Sequence, residues 1–251
     1  MIKLSLIVPV LNSHKIVQRH MLFFRKMRLP DDVEIIYVDD GSDPPIKHIE
    51  PKSHKHFNII RTNDTRPWTW ALARNIGARI AEGRNLLMTD LDYIIPETAI
   101  RIGRFFEGDY IGFRWEFAIL DEIGNFHQDI ESLAAYGWPK ERYATRKFEL
   151  PPHPNNFVIR KDLFLEMGGY REDLVERPYP QGEDNDFKKK RKRWEREGKL
   201  KVSEIRPTLY MFPNGKWCAG GDVDTNPFDL FHDLTRKTKK NYWYQEQLKH
   251  A

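Results

Sequence analysis

The stretch that decides the fold is LSLIVPVLNS, residues 4–13. Its first seven residues are mostly apolar and rich in β-branched side chains, a pattern that predicts a buried strand. Asn12 and Ser13 interrupt the run, and serine is a residue type that often caps a helix. We therefore expect a strand over Leu4–Val10, a cap near Ser13 and a helix over residues 16–27.

Strand and helix patterns then alternate along the chain. EIIYV at residues 34–38 predicts a second strand, and DDGS at residues 39–42 supplies the turn that ends it. A short strand at 58–60, a helix over 70–81 and a strand at 86–88 follow. This alternation favours an α/β fold with a mostly parallel central sheet and helices on both of its faces.

Beyond about residue 100 the pattern loosens, because aromatic and charged residues interrupt it. FVI at residues 157–159 predicts another strand, residues 161–167 a short helix ended by two glycines, and residues 187–198 a strongly charged helix. The sequence contains no internal repeat and no low-complexity linker. We therefore expect a single domain over residues 1–251.

Composition and charge exclude several classes of protein. The chain is 40% hydrophobic and 31% charged, which is typical of a soluble globular protein. A net charge of +4 is too small for a surface built to bind nucleic acid. No apolar run reaches the ~18 residues needed to cross a bilayer, and one cysteine, Cys218, forms neither an internal disulfide nor a thiolate cluster. We expect a cytoplasmic protein with no nucleic-acid partner and at most peripheral membrane contact.

The basic block KKKRKR at residues 188–193 has two interpretations. Blocks of this kind are mostly solvated helix faces, which is the interpretation we favour. The alternative is contact with an anionic acceptor or a lipid head group.

Three Asp-x-Asp pairs occur, at residues 90–92, 184–186 and 222–224. Only the first directly follows a strongly apolar strand, where an unpaired carboxylate is costly unless a cation or hydrogen bonds compensate it. Mg²⁺ and Mn²⁺ take oxygen ligands from carboxylates, phosphates and water. If the strand alternation continues, Asp90 and Asp92 face one side and one of them meets a metal. The alternative is a surface turn in which Asp92 caps the next segment.

The chain has neither the G-x-G-x-x-G nor the G-x-x-x-x-G-K-[ST] pattern, which weakens the dinucleotide and P-loop interpretations. Five other motifs occur in a characteristic order: SLIVPVLN at 5–12, EIIYVDDGS at 34–42, ARNIGA at 73–78, DLD at 90–92 and GED at 182–184. In this order the chain resembles the inverting glycosyltransferases of the GT-A fold, family 2 in particular. The resemblance spans about residues 4–195, and it implies a central, mostly parallel sheet flanked by helices.

The resemblance implies a nucleotide-sugar half over about residues 1–100, an acceptor half over about residues 101–230 and a C-terminal segment over 231–251. In the first half, Pro9, Asn12 and Asp40 would line the base pocket, and Asp40 would bond to the base. Arg74 would lie near the donor diphosphate or sugar, and Asp90 near the ribose.

The same resemblance implies a metal ion. Asp92 would bind it together with His232, which matches a late histidine of many relatives. An imidazole ligand favours Mn²⁺, with Mg²⁺ possible. Trp217, in a glycine-rich segment that we expect to be a mobile loop, is the candidate for contact with the donor sugar.

On the acceptor side, residues 157–170 and 182–187 resemble galactosyltransferase-like members. Asp184 then matches the general base, a carboxylate that takes the proton of the attacking sugar hydroxyl. Glu183 would orient the acceptor, and Trp115 is a further candidate for contact with it. These acids are also the first-turn acids that a helix dipole favours, which is compatible with the functional interpretation.

The predicted function is metal-dependent transfer of a hexose, galactose or N-acetylgalactosamine in preference, from a UDP-sugar to a hydroxyl of a glycan or glycolipid with inversion. Two alternatives stay open at the level of sequence. One is a nucleotidyltransferase that acts on a sugar phosphate. The other is a non-catalytic module that binds sugars or polyanions.

Overall fold

The first strand begins at Leu4 and ends at Val10, as the apolar run predicts, and all seven of its residues are buried. The structure is a computed structural model. It describes residues 1–48, 56–64, 69–135, 153–173 and 182–212. Within these ranges β1 lies near the centre of a six-stranded sheet, which explains why it is apolar on both faces.

The other strands follow in chain order. They are β2 Val33–Asp39, β3 Phe57–Arg61, β4 Asn85–Met88, β5 Tyr93–Ile94, β6 Tyr110–Gly112, β7 Arg114–Phe117, β8 Ile119–Leu120, β9 Phe126–His127, β10 Phe157–Arg160 and β11 Thr208–Met211. The helices are α1 His14–Met27, α2 Trp70–Ile80, α3 Glu97–Phe105, α4 Ile130–Ala135, α5 Lys161–Glu166 and α6 Glu183–Arg196.

The main sheet has the strand order β3-β2-β1-β4-β10-β6. The first four strands are parallel, with Ile7 opposite Ile36 on one side and Met88 on the other. β10 runs antiparallel to both β4 and β6. The mostly parallel sheet is therefore confirmed, and strands from both predicted halves of the chain lie in it.

Helices cover both faces of this sheet, as predicted. On one face β1 contributes Leu6 and Val8 to a core that includes Phe24 of α1. On the other face Ile7 packs in a core with Ala73 of α2 and Phe187 of α6. α2 approaches the sheet closely at Gly77, where a Cβ atom would lie 2.6 Å from Cγ2 of Ile7.

Two local predictions need correction. Ser13 occupies the N-cap position of α1, but its hydroxyl donates to the carbonyl of Leu11 at 2.9 Å instead of accepting from the helix. The charged helix begins at Glu183, not at residue 187, because its acidic first turn is helical. Leu91 and Asp92 form a turn, so the strand alternation does not continue through Asp92 and the turn that the sequence left open is present.

Smaller sheets lie beside the main one. β5 and β7 flank β11, and β8 pairs with β9. The backbone N–H of Phe212 donates to the carbonyl of Asp92 at 2.8 Å, which fixes the turn just before β5. No helix in the described ranges is long and apolar enough to cross a membrane.

A buried histidine predicts how stability depends on pH. His20 of α1 is 1% exposed, and its Nδ1 lies 2.9 Å from the hydroxyl oxygen of Tyr37. Burial lowers the pKa of His20 to about 3, whereas an unfolded histidine titrates near ~6.5. The unfolded chain therefore binds a proton that the folded chain does not between these values. Between pH 6.5 and pH 3, this contribution therefore lowers the free energy of unfolding as the pH falls. The slope reaches about 1.4 kcal/mol for each pH unit of acidification.

The measurement is urea unfolding at several pH values between 5 and 7.5 for the wild type and for His20→Phe. Because other groups titrate in both proteins, the difference between them isolates His20. We expect the wild type to lose more stability than the variant as the pH falls. Equal pH dependence in the two proteins would contradict the burial of a neutral His20.

Candidate functional site

A buried arginine lies at the centre of the site. Arg74 of α2 is 1% exposed, and its Nη2 donates to Oδ1 of Asp90. Its Nη1 lies 3.6 Å from Oε1 of Glu183, and the guanidinium lies 5.3 Å from the ring centroid of Tyr170. Its Nε has no hydrogen-bond partner among the described residues. One guanidinium thus joins the acidic turn after β4 to the first residue of α6.

Local structure explains how these groups meet. Arg74 lies less than one helical turn before Gly77, where the close approach of α2 brings the helix onto β1. Asp90 follows the carboxyl end of β4, and Asp39 and Asp40 lie at the carboxyl end of β2. These acids therefore lie at one edge of the parallel sheet, the edge where α/β sheets bind ligands.

Asp90 has further partners from the segment before β10. The Nδ2 of Asn155 donates to Oδ2 of Asp90 at 3.3 Å, and the Nδ1 of His153 lies 3.5 Å from the same oxygen. The hydroxyl of Tyr170 donates to Oδ1 of Asn155 at 3.0 Å. Tyr170 also contacts the guanidinium of Arg74. A closed network therefore joins the side chains of Arg74, Asp90, Asn155 and Tyr170.

Sequence reasoning missed two partners of Asp90, because neither His153 nor Asn155 is among the site residues that the sequence predicts. Their partner Asp90 is 65 positions before Asn155, so no local pattern connects them. The one available signal is the polar run HPNN at 153–156 directly before the predicted strand, which places amides at the end of a buried strand.

The two acids of the first Asp-x-Asp pair have opposite electrostatic surroundings. Burial disfavours the charged form of Asp90, but Arg74 and His153 outweigh it and lower the pKa of that carboxyl. Burial, reinforced by the negative charge of Asp90, raises the pKa of Asp92 to about 7. Burial also raises the pKa of Glu183 against the attraction of Arg74. Asp92 is thus the carboxylate whose charge the described protein groups compensate least.

This property makes Asp92 a fitting ligand for a divalent cation. A hard cation prefers carboxylate oxygen and would supply the positive charge that Asp92 lacks. Among the described residues, no group of three or more His, Cys, Asp or Glu side chains is arranged to hold a metal ion. The second predicted ligand, His232, lies outside the described residues, as does the predicted sugar contact Trp217.

The loops after β1 and β2 are tied together at the predicted base pocket. Asn12 has a left-handed backbone with φ +49°. Its N–H donates to Oγ of Ser42, and its Oδ1 accepts from the N–H of Asp43, both at 2.9 Å. Asp39 accepts from the N–H groups of Ser42 at 2.7 Å and Ile46 at 3.1 Å. Asn12 and Asp39 therefore fix the shape of the pocket wall.

Asp40 and Pro9 are both buried at this end of the sheet. The Oδ1 of Asp40 accepts from the hydroxyl of Thr62 at 3.1 Å and from that of Thr69. These bonds hold the carboxylate in place between the strand end and the start of α2. Contact of Asp40 and Pro9 with a nucleotide base stays a prediction.

The start of α6 places the predicted acceptor-side acids. Gly182 has φ +98°, a left-handed conformation that favours glycine, so the glycine of the GED motif has a backbone reason. Glu183, Asp184 and Asp186 form the acidic first turn. Glu183 points to Arg74, whereas Asp184 is partly exposed and its Oδ1 accepts from the N–H of Asn185 at 2.7 Å.

Trp115, the further candidate for contact with the acceptor, lies in β7. It is 6% exposed in β7, and its ring meets those of Tyr93 at 6.4 Å and Phe117 at 5.3 Å between centroids. The structure thus places Trp115 in the core, and its contact with an acceptor stays a prediction.

Known proteins resemble this chain both in sequence and in structure. The family model described as Glycosyl transferase family 2 matches residues 5–164. This match includes the strand ends after β1, β2 and β4, Arg74 and the segment that contains His153 and Asn155. No curated protein sequence shows a significant match to the chain.

Solved structures show the same fold. S. aureus TarS 1-349 has a TM-score of 0.53 at 15% identity, over 84% of this chain and 60% of that one. TarS 1-349 in complex with UDP-GlcNAc has a TM-score of 0.55 at 15% identity, over 85% of this chain and 59% of that one. The chain thus spans about 60% of the length of TarS 1-349. The GT-A fold implied by the motifs is confirmed.

The buried guanidinium predicts a large loss of stability when it is removed. Arg74→Met leaves Asp90 and Glu183 without their shared cation in a site of low polarity, and we expect a loss of about 3–5 kcal/mol. The matched control is Arg79→Met on the same helix. Arg79 is 51% exposed in its side chain and pairs with Glu172 at 2.9 Å, so its loss should cost less than about 1 kcal/mol.

Chemical unfolding of the wild type and the two variants measures these changes. Equal losses for Arg74→Met and Arg79→Met would contradict the central place of Arg74 in the fold.

Proposed function

Since this chain belongs to the Glycosyl transferase family 2, we propose that it transfers a hexose from a UDP-hexose to a hydroxyl of a glycan or glycolipid. The reaction inverts the anomeric carbon and depends on a divalent metal, Mn²⁺ or alternatively Mg²⁺. UDP as the donor nucleotide is supported by S. aureus TarS, which has been solved in complex with UDP and with UDP-GlcNAc. Galactose or N-acetylgalactosamine is the preferred sugar, on the resemblance of residues 182–184 alone.

One observation carries this proposal. Asp90 after β4 and Glu183 at the start of α6 both approach the guanidinium of Arg74. The motif expected to bind the donor and the motif expected to bind the acceptor therefore belong to one site. The position of Asp184 next to Glu183 in the chain supports a role for it at this site.

The chain's own residues account for the chemical step. The oxygen of the acceptor hydroxyl attacks the anomeric carbon of the donor, and the bond from that carbon to the diphosphate oxygen breaks. The proton of the hydroxyl passes to the carboxylate of Asp184, and UDP leaves with the bonding electrons. Glu183, oriented by Arg74, accepts a hydrogen bond from the acceptor and holds it for attack.

Asp92 and His232 would hold the metal. A bound divalent cation neutralises the negative charge that develops on the departing diphosphate. Asp90, held by Arg74 and Asn155, is then available to the ribose in a fixed orientation. Because Arg74 contacts Asp90, its positive charge would lie near the diphosphate of the donor. Its Nε–H forms no hydrogen bond with the described residues.

Family membership favours sugar transfer over both alternatives. A nucleotidyltransferase would release pyrophosphate, and a binding module would release nothing. The distinguishing assay is a donor screen with Mn²⁺ that measures release of nucleoside diphosphate with and without glycan acceptors. Absence of release with every donor, acceptor and metal would contradict the proposal.

Asp184→Asn should lower acceptor-dependent UDP release by about 10²–10⁴-fold, because the amide cannot take the proton of the hydroxyl. Asp186→Asn is the matched control on the same turn of α6. Asp186 lies 3.6 Å from Arg171 and has no place in the proposed reaction, so its replacement should change the rate by less than about threefold.

UDP affinity in the presence of Mn²⁺ should stay unchanged in both variants, which separates chemistry from donor binding. Full turnover by Asp184→Asn would exclude Asp184 as the general base.

Asp92→Asn should reduce the effect of Mn²⁺ on UDP affinity by about tenfold or more, because it removes a charged ligand of the metal. Glu107→Gln removes an exposed carboxylate between α3 and β6 and serves as the control. Titration calorimetry with UDP, with and without Mn²⁺, measures the effect. An unaltered effect of Mn²⁺ in Asp92→Asn would exclude Asp92 as a metal ligand.

A further inference from the structure

A basic cleft opens beside the site. Its wall includes His153, Tyr110, Ser203 and the cationic side chains of Lys188, Arg191 and Arg206. The cleft has a volume of about 90 Å³, several times the ~10–15 Å³ that one water molecule needs. His153 connects it to the site, because the same imidazole lies 3.5 Å from Asp90.

The cleft carries positive charge from two separate elements. Lys188 and Arg191 come from α6, and Arg206 comes from the segment before β11. Neither Lys188 nor Arg206 forms an ion pair with a described residue. No Asp or Glu is among the described residues that line the cleft. An anion would therefore meet two cations that form no ion pair with the described residues.

Arg191 is the ordered member of this group. Its guanidinium lies 5.0 Å from the ring centroid of Tyr110. Its Nη1 lies 2.9 Å from Oε2 of Glu195, one turn further along α6, and its side chain is 15% exposed. Glu195 compensates part of its charge, while the stacking fixes the planar fork that suits carboxylate and phosphate groups. The cleft thus has one oriented donor and two exposed cations.

Helix geometry relates this cleft to the proposed base. Asp184, Lys188 and Arg191 have the spacing i, i+4, i+7, so they lie along one stripe of α6. At ~1.5 Å per residue, Lys188 is about 6 Å and Arg191 about 10 Å along the helix from Asp184. A group bound by these cations would lie about one sugar residue away from a hydroxyl held at Asp184.

We propose that the acceptor carries an anionic group, a phosphate or a carboxylate, and that the cleft of Lys188, Arg191 and Arg206 binds it. This inference rests on the proposed function, because it names the chemical class of the acceptor for the same site. The basic block at residues 188–193 is then divided. Lys188 and Arg191 serve the cleft, whereas Lys189 and Lys192 do not line it.

The test measures binding to the metal-free full chain with three probes of similar size: glucose 6-phosphate, glucuronate and glucose. Two-dimensional NMR of the ¹⁵N-labelled protein follows each titration in EDTA. We expect both anionic sugars to bind, with shifts at residues of α6 and at 202–206, and neutral glucose to bind at least about fivefold more weakly. The tighter-binding anionic probe indicates whether the acceptor group is a phosphate or a carboxylate.

Two double variants provide the matched comparison. Lys188→Ala with Arg206→Ala removes two charges from the cleft, and Lys189→Ala with Lys192→Ala removes two exposed charges that do not line it. We expect the first pair of substitutions to weaken the binding of glucose 6-phosphate or glucuronate at least about fivefold. The second pair should leave the binding of both sugars nearly unchanged.

The proposal would be overturned if both double variants weakened the binding of the anionic sugars equally. It would also be overturned if glucose bound as tightly as the anionic sugars, or if neither anionic sugar bound. Binding of phosphatidylglycerol vesicles without binding of either anionic sugar would also overturn it, in favour of a membrane surface. UDP binding with Mn²⁺ is measured on separate, EDTA-free samples of the same proteins. Its absence counts against the proposed function, whereas loss of sugar-anion binding with UDP binding intact counts against the cleft alone.

Discussion

The burial of the Arg74 guanidinium is the constraint on which the rest of the site depends. A cation removed from water costs several kcal/mol unless carboxylates and hydrogen bonds compensate it. The two carboxylates come from distant parts of the chain, Asp90 after β4 and Glu183 at the start of α6. Only when α2, β4 and α6 are docked together is the charge satisfied. The same contact that stabilises the fold therefore brings together the two segments for which we propose donor and acceptor binding.

The two acids of the Asp-x-Asp pair differ because the chain turns between them. Asp90 is held by Arg74, with Asn155 and His153 on its other side. Asp92, within the turn at residues 91–92, has no comparable cation among the described residues, and its pKa is raised where that of Asp90 is lowered. The described residues thus supply a counter-charge for Asp90, whereas the proposed counter-charge for Asp92 is an external cation. The same two-residue pattern holds two acids in different electrostatic surroundings.

Local patterns predict the sheet well and the site in part. β1 and β2 are short apolar runs whose burial on both faces is visible in the sequence, and the structure confirms them. Asn155 reaches Asp90 because β10 pairs antiparallel with β4, with Phe157 opposite Met88. That register is a long-range property that no local pattern contains.

Two features of the acceptor half depend on packing and on helix electrostatics. The ring of Trp115 packs against Tyr93 and Phe117, and its contact with an acceptor stays a prediction. The charged helix starts four residues earlier than predicted because acids are stable in a first turn, where the helix dipole is positive. Glu183, Asp184 and Asp186 are therefore the first-turn acids that the sequence also allowed.

The charge gradient along α6 shows why composition alone cannot separate structure from function. Acids in its first turn and basic residues in its last turn both stabilise the helix through its dipole, so each is expected whether or not it binds anything. What distinguishes Glu183 is its approach to a buried cation, and what distinguishes Arg191 is the ring of Tyr110 that holds it at a concave surface. A charge acquires a specific role when packing fixes its position, because only then does it meet a ligand without the entropic cost of ordering a free side chain.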